Sequence, residues 1–123
     1  PWKDTAEFCH ICEEQMPKFG FDPIYWIASI KNGRDCIGMP IVCYSAQDQE
    51  SVKAVNEFDR KTAQIFLDHG WLNYRPRKFT HAPMMYERAQ DYYNMLVKFK
   101  KLLDPHGIMH PGSLNMNFLE EYP

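Results

Sequence analysis

Residues 23–44 read PIYWIASIKNGRDCIGMPIVCY, and this stretch decides the fold class. Residues 23–31 are rich in β-branched and aromatic types and predict a strand. Asn32-Gly33 follows, the pair that a type I′ hairpin turn favours because both of its central residues need positive φ. A second strand is predicted from about Asp35 to Tyr44, with Gly38 and Pro40 marking a bulge or irregularity. An antiparallel hairpin is therefore the centre from which the rest is read.

Helical patterns flank it. Upstream, Asp4-Thr5-Ala6-Glu7 has the form of a capping box. Phe8, Ile11, Cys12 and Gln15-Met16 then fall at helical spacing until Pro17 and Gly20. Downstream, Ser45-Ala46-Gln47-Asp48 is a second box, followed by Val52, Val55, Phe58, Thr62, Ile65 and Phe66, the stripe of a half-buried helix. His69-Gly70 is a C-cap pattern. Residues 71–75 are predicted as loop or a short strand. Pro83 fits the first turn of a third helix whose apolar face runs through Met85, Ala89, Tyr92, Leu96, Phe99 and Leu103. Lys98, Lys100 and Lys101 complement that helix's dipole, and Asp104-Pro105 stops it. The order predicts a small α+β fold, an antiparallel sheet with flanking helices. So few strands are marginal as an autonomous sheet, so the chain is expected to lean on a partner.

Composition narrows the function. The 123 residues suffice for one domain, with 45% hydrophobic and 24% charged residues. A formal net charge of −2 gives no global field for nucleic acid or an anionic membrane. No apolar run approaches the roughly 20 residues of a membrane span. The start at Pro1-Trp2 suggests a processed or excised segment, and nothing in the sequence fixes its compartment. Cys9-His10-Ile11-Cys12 has CxxC spacing within a helical pattern, but no second CxxC or His-x3-His follows. Small buried hydrophobes are the plain reading of the four cysteines, with a disulfide left open. The five histidines show no metal-ligand spacing, and no metal is expected. Adjacent acidic pairs such as Glu13-Glu14 and Glu120-Glu121 diverge by about 100° on a helix and read as solvated faces.

Two segments carry possible chemistry. In HGWLNYRPRKFTH (69–81), Tyr74 and Arg75 sit just past a helix end, locked by Pro76. A guanidinium with a neighbouring phenol suits an anionic oxygen, and the alternative is a surface ion pair beside a packed tyrosine. In KKLLDPHGIMHPGSL (100–114), two prolines stiffen an irregular strip and two glycines permit unusual dihedrals. That combination reads as a docking tail.

The second segment resembles the C-terminal signature of FAD-dependent oxidoreductases of the vanillyl-alcohol oxidase and p-cresol methylhydroxylase family, close to L/V-D-P-x-G-I-x-x-P-G-K. Leu103 to Gly112 fits at every fixed position, and Ser113 replaces the final Lys. The same signature occurs in D-lactate and glycolate dehydrogenase relatives. Gly70-Trp71-Leu72-Asn73-Tyr74-Arg75 is similar to the phenol-oxidising branch's segment, with Thr80-His81 echoing its Thr-His after an inserted Pro-Arg-Lys-Phe. The order of a helix, Phe19-Gly20-Phe21-Asp22, a hairpin, Arg34-Asp35 and Ile41-Val42-Cys43-Tyr44 extends the resemblance over most of the chain.

The resemblance implies the last quarter of such an enzyme. Residues 1–103 would be part of the substrate (cap) domain, and residues 104–123 a tail docking on the FAD-binding domain of another, larger chain. The implied reaction is oxidation of para-substituted phenols at the benzylic carbon by hydride transfer to FAD held mainly by that partner. Cytochrome c or oxygen would be the final acceptor. Tyr74 and Arg75 would be catalytic ligands of the phenolate and, with Met39, would contact substrate. His110, Pro111, Gly112 and Ser113 would contact the cofactor. Histidines that relatives carry near a strand end are missing around Ile37-Gly38. Two other readings remain: a 2-hydroxy-acid dehydrogenase with Arg75 on the carboxylate, and a non-catalytic interaction module.

Overall fold

The computed structural model describes residues 2–77 and 80–109. Its elements are α1 (Trp2–Gln15), β1 (Ile24–Ile30), β2 (Asp35–Ile41), α2 (Gln49–Asp68), α3 (His81–Arg88) and α4 (Gln90–Leu103). Four helices and a two-stranded antiparallel sheet make a small α+β fold. Two compact units divide the chain, Pro1–Thr62 and Ala63–Pro123, with α2 running through the boundary. No described helix is long and apolar enough to cross a membrane.

In the first unit, Phe8, Ile11 and Cys12 form a buried stripe on α1 that continues to Met16 just past its end, and Met16 is wholly enclosed. The helix begins ahead of the expected capping box, so Asp4 lies within its first turn. It tightens into a 3-10 turn at Met16–Phe19 and stops at Gly20, whose φ of 79° lets Phe21 N–H reach the Met16 carbonyl at 3.1 Å. That reversal brings Phe19 and Phe21 edge-on to Phe58 of α2, with ring centroids 5.7 and 5.8 Å away. Val55 and Phe58 are the buried apolar residues that α2 contributes in this unit, and Thr62 is buried at its end, its hydroxyl donating to the Phe58 carbonyl at 2.8 Å.

The hairpin forms where the sequence places it. Strands pair from Ile24 with Ile41 to Ile30 with Asp35. Asn32 and Gly33 have φ of 56° and 82°, and Arg34 N–H donates to the Lys31 carbonyl at 3.3 Å, as a type I′ turn requires. The expected bulge is absent, because the register is one-to-one through Gly38 and Pro40. Pro40 is tolerated because each strand of a two-stranded sheet has an open edge that needs no donor. Gly38 has another cause. A Cβ there would lie 2.8–3.0 Å from three carbons of the Phe8 ring. Phe8 also meets Tyr25 edge-on at 6.0 Å, so Tyr25, Ile27 and Gly38 lie on the face turned to α1. The opposite face carries Ile24, Trp26, Met39 and Ile41, all substantially exposed. The second strand stops at Ile41, three residues short of the expected end.

Asp48 caps α2, three residues beyond the start of the expected box. Its carboxylate accepts from Glu50 N–H at 3.2 Å and Ser51 Oγ at 2.5 Å. In the second unit, α2 ends in a Schellman motif: Trp71 N–H donates to the Phe66 carbonyl, Gly70 N–H to Leu67, and Gly70 has φ of 77°. The Phe66 and Trp71 rings supply the accompanying apolar contact, 5.8 Å apart. The short strand considered for residues 71–75 does not form, because Asn73 Oδ1 accepts from Arg75 N–H at 2.9 Å and bends the chain. The predicted third helix is divided at Ala89 (φ −128°, ψ 52°). The break sets Tyr86 and Tyr93 against each other at 4.5 Å. Arg88 reaches the end of α2, donating to the Leu67 carbonyl at 2.8 Å and pairing with Asp68.

Replacing Gly38 with Ala should destabilise the chain by about 1–3 kcal/mol, the usual cost of overpacking. Urea unfolding of Gly38→Ala, alone and with Phe8→Leu, measures it. The second change should recover part of the loss.

Candidate functional site

Tyr74 and Arg75 lie in the loop between α2 and α3, and both are exposed, Tyr74 at 66%. The Asn73 bend sets their backbone. The Arg75 guanidinium carbon lies 5.4 Å from the centroid of the Tyr74 ring. A cation over an exposed ring contributes about 0.5–1 kcal/mol. A guanidinium carries its N–H donors in its own plane, so one that lay face-on to a ring would keep them for an acceptor. The loop returns to α3 through His81, a buried side chain whose Nδ1 accepts from Arg77 N–H at 3.3 Å. An accepting Nδ1 puts the neutral ring's proton on Nε2. Met39 belongs to the first unit, on the α1-distal face of the sheet and paired with Trp26. His110, Pro111, Gly112 and Ser113 lie outside the described residues.

Sequence reasoning missed the residue that organises the signature segment. Asp104 is 5% exposed, although it follows the last helical residue of α4. Its carboxylate accepts from Lys100 Nζ at 2.5 Å and from the amides of Ile108 and Met109, both at 2.9 Å. Its carbonyl accepts from Gly107 N–H at 3.1 Å. Gly107 is buried with φ of 62°, a conformation that favours glycine. Lys100 also donates to the Met109 carbonyl. The signal was legible in principle, since Lys100 and Asp104 stand four apart at a helix end.

The Lys100 hydrogen bond, then the amides of Met109 and Ile108, hold the Asp104 carboxyl below its ordinary 3.8. A depressed acid stabilises the fold above about pH 4, and the effect fades as pH falls through the lower folded value. Cys12 behaves oppositely. Burial, then Cys9 and Glu13, push its thiol up to about 12. All four cysteines are free thiols. Among the described residues no cluster of three or more His, Cys, Asp or Glu could hold a metal.

No family model, no curated protein and no solved structure matches this chain. The family resemblance therefore stands on the residues quoted for it.

Two measurements follow from these environments. Asp104→Asn should lower the urea midpoint of the full chain at pH 7, and the gap to the unaltered protein should narrow below pH 4. At pH 8, Cys12 should react with iodoacetamide on the order of a thousandfold more slowly than a free thiol, because so little of it is thiolate. Peptide mapping after timed alkylation would reveal this.

Proposed function

We propose that this chain is the C-terminal part of a two-chain flavoprotein that oxidises para-substituted phenols, with Tyr74 and Arg75 as ligands of the phenolate oxygen. The observation that carries the reading is the Asp104 loop. In the signature string, Asp104 gathers Lys100 and two following amides, while Gly107 takes the positive φ that completes the turn. These fixed letters thus act together, which supports reading the string as a motif.

The residues that follow fit the polar edge of a flavin in their chemistry. His110, Gly112 and Ser113 each offer a backbone amide, and Ser113 adds a hydroxyl. FAD, held mainly by the larger chain, would supply the two-electron acceptor. This chain's own work is electrostatic. Arg75 would stabilise the phenolate oxygen with its N–H donors, and Tyr74 would add a hydroxyl beside it. Ionising the phenol raises electron density at the para carbon and eases loss of hydride from the benzylic position. Donors held in place before the reaction avoid reorganisation, which is why such groups strengthen catalysis. In the first unit, Met39 and its cross-strand neighbour Trp26 present exposed apolar side chains on one face of the sheet.

In the complex with its larger chain, Arg75→Ala should lower kcat/KM for a 4-alkylphenol about 10²–10³-fold. It should also remove the phenolate absorbance of a bound, unreactive phenol. Unchanged turnover with unchanged phenolate absorbance would defeat the oxyanion role. Turnover of D-lactate or glycolate in place of the phenol would move the assignment to 2-hydroxy acids.

A further inference from the structure

The two outer edges of the sheet differ, and Pro40 shows how. A proline has no N–H, so Pro40 and its partner Tyr25 form a pair that exchanges no hydrogen bonds. Bonded and non-bonded pairs alternate in an antiparallel ladder. Cys36, Gly38 and Pro40 therefore turn their backbone groups to the outer side of β2, and Tyr25, Ile27 and Ser29 turn theirs to the outer side of β1. The β2 edge is blunted, with Pro40 in that row and the charge of Asp35 at the strand's start.

The β1 edge has no such protection. Ile24–Ile30 reads IYWIASI, without a charge, a proline or a glycine. Among the described residues no third strand joins the sheet, and no hydrogen bond reaches the backbone of Tyr25, Ile27 or Ser29. Each of the three presents one donor and one acceptor outward. A strand edge of this kind is a template for another strand.

The strand that fits it is its own copy. Antiparallel pairing about a two-fold axis at Ile27 sets Ile27 against Ile27 of the second copy, and Tyr25 against Ser29. In that register every outward group meets another outward group. A slip of one residue would set them against groups already bonded within the hairpin. On the α1-distal face the same register places Trp26 opposite Ala28, the widest side chain of the strand against its smallest, and Ile24 opposite Ile30.

The helices have room. The axis would run perpendicular to the sheet, so both copies of α1 would lie on one face. Each is seated through Phe8 on Gly38, the direct partner of Ile27. The two Gly38 positions would stand three strand spacings apart, about 14 Å. Packed helices need only about 8–10 Å between axes.

We propose that two copies of this chain pair through β1 about Ile27, making one continuous sheet in the order β2-β1-β1-β2. Four strands on two helices also meet the minimum that two strands miss. The pairing draws on the first unit alone and is independent of the flavin reading.

Amide exchange of the full chain, read beside its mass by light scattering, tests the pairing. From about 5 to about 500 µM protein, the mass should rise toward two copies and exchange at Tyr25, Ile27 and Ser29 should slow about tenfold. The amides of Trp26 and Ala28, already bonded to β2, should change far less. Ser29→Pro removes one outward donor per copy and no bond of the hairpin, so it should weaken dimerisation about tenfold. Should that variant fail to fold, the exchange pattern of the unaltered chain decides alone. A single copy at every concentration would overturn the proposal, and so would a folded Ser29→Pro chain that dimerises as before. Dimers in which the three outward amides exchange as fast as in the monomer would do the same, since another surface would then join the copies.

Discussion

The ring of Phe8 rests on a position that has no side chain, and the first unit is organised around that contact. A sheet of two strands is unstable alone and needs a surface to lie on. Gly38 lets α1 approach β2 until the Phe8 ring reaches the backbone, and Tyr25 closes the ring's edge from β1. The buried stripe of α1 continues along the same side to Met16. Beyond it, the Gly20 reversal aims Phe19 and Phe21 at Phe58. One glycine in a strand thus sets the depth at which the helix sits, and the aromatic cluster follows from the helix's end.

This contact explains why the hairpin was legible and the bulge was not. The run of β-branched and aromatic residues and Asn32-Gly33 are local signals, and they mark both strands and the turn. Gly38 is equally a local signal, but its meaning is tertiary: a close approach and a bulge look alike in one strand. The same limit applies elsewhere. The periodicity of residues 83–103 predicts one helix, whereas Ala89, an excellent helix former, stands at a break that no propensity marks. What favours the break is nonlocal, the reach of Arg88 to the end of α2 and the pairing of Tyr86 with Tyr93. Asp48 rather than Ser45 caps α2 because both its oxygens find donors within three residues.

The candidate site was legible in unequal parts. Tyr74 and Arg75 are adjacent in the sequence, and the guanidinium does lie beside the ring, in an exposed loop. Leu103 to Gly112 was read through its prolines and glycines, while the residue that draws the segment together is Asp104. A carboxylate after a helix normally signals a stop. Its burial and three donors become visible only when the following amides fold back to it.

The two loops solve one problem by different means. An irregular segment has no ladder to satisfy its backbone, so it must borrow acceptors from side chains. Asn73 provides one for Arg75, and Asp104 provides them for Ile108 and Met109. The Asp104 case is the firmer, because its carboxylate is buried, ionised and paired with a lysine whose side chain is only 19% exposed. The Asn73 case is neutral and open to water, and it fixes only the turn that presents Tyr74 and Arg75. The Arg75 guanidinium carbon lies 5.4 Å from the centroid of the Tyr74 ring, so the charge has an aromatic neighbour in place of a buried acid.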